Sequence, residues 1–269
     1  MTTSSKRPIS NIEDLIESCT SKTPWWRRYQ ILTVLCICNS SDAVETVCMG
    51  YILACLNDIS LLEKEMLGAS VIIGMLVGGI CTGQVGDILG GKISLQFSIL
   101  LSATGGILSS FTPSVNLLII CRALGGFGIG GVVPNVYALG SELFSKERKS
   151  KMLTLIATSW IFGSIYASIA GWILLGNDID GHRIIPGGDW RMYAVVCAAP
   201  SYLATLLTFF LVESPSFLIE KKKTKRAAEA LSYLCASTVT AEDVRKCEVL
   251  TPEAPTQEET TSPCQLAES

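Results

Sequence analysis

The chain has 269 residues, of which 49% are hydrophobic and 17% charged, with a formal net charge of −3 and a mean hydropathy of +0.43. That balance is too apolar for an ordinary soluble domain, in which about a quarter of residues are charged, and nothing in it points to nucleic acid as a partner. The charges are also unevenly spread, and long stretches carry almost none.

A membrane-spanning helix needs about 20 mainly apolar residues, because the hydrocarbon core is roughly 30 Å thick and a helix rises about 1.5 Å per residue. Six segments meet this: 29–56, 66–86, 93–111, 115–140, 152–176 and 191–212. They must be helical, since backbone polar groups in hydrocarbon have to be satisfied within the segment. The expected fold is an all-α membrane protein with a six-helix domain over 29–212. A cytoplasmic segment, 1–28, precedes it. A basic linker helix, 213–236, and a disordered acidic tail, 237–269, follow.

Before the first span stand Glu13, Asp14 and Glu17 and no apolar core of a signal peptide, so the first span itself is expected to direct insertion. Within that span, Asn39, Ser40, Ser41, Asp42 and Glu45 interrupt the apolar run. A charged side chain at mid-helix costs roughly 2.5–3.5 kcal/mol on insertion scales, so Asp42 and Glu45 call for a partner. Asn39, Asp42 and Glu45 share one helix face at three-residue spacing.

The second span ends in "GQVGDILGGK", with Gly83, Asp87, Gly90 and Lys92. Glycine allows close helix approach and left-handed backbone, while a carboxylate can cap a helix or pair with a base, so this reads as a tight turn. The fourth span opens "CRALGGFGIGG", with Arg122, Gly126 and Gly130 on one face, and continues into "PNVYALGSELFSKERKSK" with Glu142 and Arg148. Measured from the middle of each span at 1.5 Å per residue, Arg122 lies within reach of both Asp42 and Glu45. "GGFGIG" falls inside a span rather than between strand and helix, so it is not a dinucleotide fingerprint. In the fifth span Thr158, Ser164 and Ser168 are either substrate contacts or hydroxyls bonded to their own helix.

Trp190-Arg191 opens the sixth span, and Glu213 closes it beside Pro215. Past Lys221, "KKKTKRAAEALSYLCA" forms a short amphipathic helix whose basic start lies near anionic lipid. The final stretch, rich in Pro, Thr, Ser and Glu, has nothing to bury. With the N-terminus inside, fifteen Lys and Arg between Lys6 and Arg226 fall on the cytoplasmic side and only Lys64, Arg183 and Arg191 outside. Both termini are thus placed in the cytoplasm of an integral multi-pass protein, at the plasma membrane or an internal vesicle membrane. The eleven cysteines read as small apolar residues or free thiols, and the one histidine, His182, as a solvated loop residue. No catalytic group, metal-ligand cluster or cofactor loop is visible.

At the place it occupies, the loop from Gly83 to Lys92 resembles the signature loop of the major facilitator superfamily, G-x-x-x-D-x-x-G followed by two basic residues. The Arg122, Gly126, Gly130 helix resembles that superfamily's fourth span. Pro134, Tyr137, Glu142 and Arg148 resemble its sugar-porter branch, as do Trp190-Arg191 and "VESPSFLIEKKKTKRAAEAL". "DAVE" of the first span is similar to the branch of synaptic vesicle glycoprotein 2-like proteins and organic ion transporters. The chain departs in two places: Gly91 stands where the family has Arg in the loop, and Ser216 where it has Arg after Ser-Pro. The resemblance covers about 200 residues and implies the N-terminal half of a twelve-helix carrier, built as a 3+3 repeat.

What the resemblance implies is transport of a small organic solute, sugar-like or an organic ion, by alternating access, with protons as a candidate coupling ion and a second half or a homodimer closing the pathway. Asp42, Glu45, Arg122 and Asn39 would form the substrate and coupling site, the role mapping most directly onto Asp42 and Arg122. Gly83, Asp87, Gly90, Lys92, Glu142, Arg148 and Glu213 would form the gating loops. The competing reading of the charged set is a buried ion pair that only fixes helix packing. The competing reading of the chain is a truncated half that binds or regulates a full-length relative without transporting.

Overall fold

The structure, a computed structural model, describes residues 12–56, 59–176, 189–235, 237–242 and 244–245. They form α1 (Ile12–Ser21), α2 (Trp25–Cys55), α3 (Leu61–Leu89), α4 (Gly91–Ser110), α5 (Val115–Leu143), α6 (Lys146–Leu175), α7 (Trp190–Thr208), α8 (Pro215–Glu220) and α9 (Thr224–Cys235). The helices start where the sequence can satisfy their first amides. Ser60 and Glu63 make a reciprocal capping box on α3, Asp189 accepts from the Trp190 amide on α7, and Ser214 accepts from Phe217 on α8, with Pro215 in the first turn.

Five of the helices, α2 to α6, are long and apolar enough to cross a membrane. The sixth, α7, is 19 residues and packs on α2 and α4 within the same bundle. α2 begins four residues before the expected Tyr29, and α7 stops at Thr208 rather than 212. Large apolar side chains such as Ile72, Leu76, Ile80, Phe162 and Ile169 lie exposed on α3 and α6, as a helix facing hydrocarbon or another helical domain requires.

The packing repeats itself. α5 packs on α3 and α4, α2 packs on α6 and α7, and α4 packs on α7. Exchanging the first three spanning helices with the last three turns the α5 contacts into the α2 contacts and the α4–α7 contact into itself, which is what a 3+3 repeat predicts. The closest approach lies between α3 and α5. A Cβ on Gly74 or Gly78 would fall on the backbone carbonyls of Ala123 or Phe127, and one on Gly126 or Gly130 on those of Val71 or Met75. The repeat-related pair α2 and α6 has Gly163 against the Ser40 carbonyl.

The antiparallel pair α4 and α7 is held at both ends by the second residue of each helix. Lys92 of α4 donates from Nζ to the carbonyls of Phe209 (3.2 Å) and Leu211 (2.6 Å) just past α7. Arg191 of α7 donates from Nη1 to the carbonyls of Ser110 (2.9 Å) and Thr112 (2.8 Å) at the end of α4. Cations at helix C-termini satisfy orphan carbonyls and complement the dipole. Lys92→Met and Arg191→Met are each expected to lower stability by about 1–2 kcal/mol, nearly additively because the two clasps lie at opposite ends. Thermal melts of the single and double variants in detergent measure this.

A small layer of α1, α8 and α9 covers one end of the bundle. Leu15 and Cys19 of α1 pack on Ala227, Leu231 and Cys235 of α9 and on Leu218 of α8. A hydrogen bond between the Cys19 and Cys235 thiols raises the first and lowers the second from ordinary thiol values. The segment before the first span carries α1. One expectation changes here: the packed body continues beyond Ser237, because Val239, Ala241 and the fully buried Val244 join this layer. The rest of the expected tail, 246–269, and His182 lie outside the described residues. α8 ends with the Lys222 amide bonded to the Ile219 carbonyl and the Lys223 amide to that of Leu218, a left-handed C-terminal motif. Lys222, at φ 55°, holds the position that glycine usually occupies.

Candidate functional site

α2 enters the bundle between α6 on one side and α4 and α5 on the other, and its polar residues divide between the two. Asn39 turns to α6, where its Nδ2 donates to the Ile156 carbonyl at 2.9 Å and to Ser159 Oγ at 3.4 Å. Asp42 also faces α6, where Oδ2 accepts from the Trp160 indole at 3.3 Å. Glu45, one turn further along, faces α4 and α5. Its Oε2 lies 3.8 Å from Nη1 of Arg122, and a Cβ on Gly106 would come within 2.9 Å of its Oε1. Gly106 therefore makes the room the carboxylate needs.

Asn39, Asp42, Glu45 and Arg122 are all buried, at 3%, 6%, 3% and 4% exposure. Arg122 thus pairs with Glu45, and Asp42 has a neutral partner on another helix. The set is only partly satisfied: Asp42 Oδ1, Glu45 Oε1 and Arg122 Nε and Nη2 have no hydrogen-bond partner among the described residues. Buried polar groups are ordinarily hydrogen-bonded, so four open valences between repeat-related helices set this place apart from the surrounding core. Chemically it can pair one guanidinium with Glu45, accept protons and donate to an anionic or hydroxylated group.

The aromatic partner was missed from sequence alone. A tryptophan at mid-span in the fifth helix is a signal, because an indole N–H in hydrocarbon needs an acceptor, but the sequence does not say which helix supplies it. Thr158 and Ser164 bond to the carbonyls of Thr154 and Trp160 in their own helix.

The loop residues fall into two groups at the end of the bundle that carries α9. Gly90, Lys92 and Glu213 come together. Gly90, the single residue between α3 and α4, has φ +110°, and a Cβ there would lie 2.6 Å from Glu213 Oε2. Glu213 Oε1 accepts from the Lys92 amide at 3.0 Å and the Ser214 amide at 3.2 Å, so it caps α4. Gly83, Asp87 and Glu142 instead line a neighbouring cavity of about 540 Å³ with Gly91, Ser216, Glu220 and Lys221. Both positions at which an expected arginine is missing, 91 and 216, thus border one cavity that holds three carboxylates and one lysine. Arg148 stands apart in the first turn of α6, half-buried. Among the described residues no ion pair within 4.0 Å joins Asp87, Glu142 or Arg148 to an opposite charge.

Six helices in two interleaved threes, with charged residues buried between the first helices of each, define the N-terminal half of a major facilitator fold. The sequence model of the family described as "Sugar (and other) transporter" matches residues 37–262, and the chain belongs to that family. Synaptic vesicle glycoprotein 2B of Rattus norvegicus is 30% identical over 223 residues, covering 78% of this chain and 31% of the relative. The Homo sapiens protein of that name is 32% identical over 202 residues, covering 71% and 29%. Among solved structures, the proton:xylose symporter XylE bound to 6-bromo-6-deoxy-D-glucose superposes with a TM-score of 0.69 at 20% identity, over 82% of this chain and 53% of that one. A partially occluded inward-open form of the xylose transporter XylE from E. coli gives 0.68. The chain spans about half the length of these transporters and less than a third of the curated relatives.

Proposed function

We propose that the chain supplies one half of a carrier that moves a small organic solute, sugar-like or an organic ion, across a membrane by alternating access. The observation that carries this reading is the partly satisfied charged set on α2 and α5, the two helices that begin the repeats: Glu45 beside Arg122 between them, and Asp42 one turn away facing α6. In such a set a carboxylate exchanges its guanidinium for a proton or a cationic substrate. The exchange is sound in principle, because a nearby cation favours the ionised carboxylate, desolvation favours the neutral one, and a conformational change can swap the two environments. The apolar faces of α3 and α6 are the surfaces on which a second six-helix half would close, whether it comes from the same polypeptide or from another chain. The gating role of Asp87, Glu142, Arg148 and the Gly90, Lys92, Glu213 cluster belongs to the same proposal, as do the cytoplasmic placement of both termini and proton coupling.

The test is uptake into proteoliposomes driven by a pH gradient, with the chain alone and in its full-length context, using labelled sugars and organic cations. Asp42→Asn is expected to abolish gradient-driven uptake while leaving the helical fold intact. Unchanged pH-dependent uptake by this variant in the full-length context overturns the coupling role. Co-purification of the chain with a full-length relative, together with no uptake in either context, favours the reading in which the half binds a relative without transporting.

A further inference from the structure

Two concavities adjoin at the end of the bundle that carries α9. One, of about 590 Å³, is lined by Lys222, Lys223, Thr224, Lys225, Arg226 and Arg245, with no carboxylate among the described residues of its wall. The other, of about 450 Å³, shares Lys223 and Arg226 with the first and continues over Ile88, Leu89 and Ile93. Those three side chains are 66%, 50% and 45% exposed. They stand in the last turn of α3 and the first turn of α4, where the spans leave the membrane. Two carboxylates, Glu213 and Glu229, also line this second concavity. Glu213 is committed to the Lys92 and Ser214 amides, and the Lys92 ammonium to carbonyls past α7. The free charge of the joined surface is therefore strongly positive. The left-handed turn at Lys222 lets two further lysines flank it on either side without extending α8 into the groove.

A surface that is cationic on one side and apolar at membrane depth on the other matches one chemistry. We infer that this groove binds a single anionic phospholipid. The headgroup phosphates are held by Lys223 and Arg226, with Lys222, Lys225 and Arg245 around them, and the acyl chains run along Ile88, Leu89 and Ile93. Charge complementarity and continuity with the lipid-exposed faces of α3 and α4 select a lipid over a soluble partner. The lysine and arginine bias of the sequence puts the groove on the cytoplasmic side, where anionic lipids concentrate. The groove lies apart from Asp42, Glu45 and Arg122, so its occupancy is independent of whether the protein transports.

The chain, purified in detergent and transferred to nanodiscs, is to be examined by native mass spectrometry against phosphatidylcholine, phosphatidylserine and phosphatidylinositol 4,5-bisphosphate. Retention of one acidic lipid per chain over phosphatidylcholine is expected. Lys223→Gln with Arg226→Gln should weaken it about thirtyfold, at roughly fivefold per basic residue lost near an anionic surface. Both side chains are exposed, so the variant should keep its melting temperature, while Lys151→Gln, in the first turns of α6, should keep both melting temperature and lipid. Ile88→Gln with Ile93→Gln should lose the lipid but keep any weak binding of soluble inositol 1,4,5-trisphosphate. Equal retention of neutral and acidic lipid overturns the inference. So does a double charge variant that keeps the lipid, or soluble trisphosphate binding as tight as the lipid.

Discussion

Replacing Arg122 with Met while Glu45 stays in place is expected to destabilise the bundle by about 3–5 kcal/mol, the usual consequence of leaving one member of a buried ion pair without the other. In a detergent melt that corresponds to a fall in Tm on the order of 10 °C. Adding Glu45→Gln to the same chain should recover most of the loss, because the uncompensated charge is gone and only the 3.8 Å contact itself is missing. The pair of measurements also separates the two readings of the site. If the ion pair serves packing alone, uptake in a full-length context returns together with stability in the double variant. If Glu45 exchanges Arg122 for a proton or a cation, stability returns and gradient-driven uptake does not.

Gly78→Leu should have a comparably large effect by a different route. Overfilling a packed core typically costs 1–3 kcal/mol when side chains can shift, but the atoms facing Gly78 are the backbone of Phe127 in α5. Backbone within a helix cannot give way without breaking its own hydrogen bonds, so α3 has to move off α5 as a whole. Gly130→Leu should do the same from the other helix, against Met75. Both variants are expected to lose the monodisperse peak in fluorescence-detected size exclusion. Gly50→Leu and Gly83→Ala, where nothing lies within 4 Å of the added Cβ, should keep it. Equal behaviour of Gly78 and Gly50 variants would show that α3 and α5 do not depend on this contact.

The spans were readable because each is a long apolar run, and hydropathy reports depth in the membrane directly. So was the need for a partner to the first-span carboxylates, which follows from the cost of charge in hydrocarbon. Which carboxylate meets Arg122 was not readable. Asp42 and Glu45 are three residues apart, about 60° short of a full turn, and that offset sends one to α6 and the other to α5. Helix rotation is fixed by packing partners such as Gly106 and Trp160, which lie far away in sequence. The boundaries of α2 and α7 slipped for a related reason. Trp25 and Arg27 look interfacial by composition, yet Pro24 starts the helix there, and Arg27 is held between Trp26 and Tyr233 of α9. The layer of α1, α8 and α9 was half legible: the amphipathic pattern of α9 showed, and the short α1 that covers it did not.

The two clasps between α4 and α7 bear on how such a half is made. The chain leaves the ribosome in order, so the partners of Lys92 and of the last carbonyls of the third span are made only with the sixth. When α7 inserts, Arg191 engages the older helix at one face of the membrane and Lys92 engages the newer one at the other. Closure therefore ties the third span to the sixth at both faces, so the six-helix bundle is locked only when its last span is in place and correctly threaded.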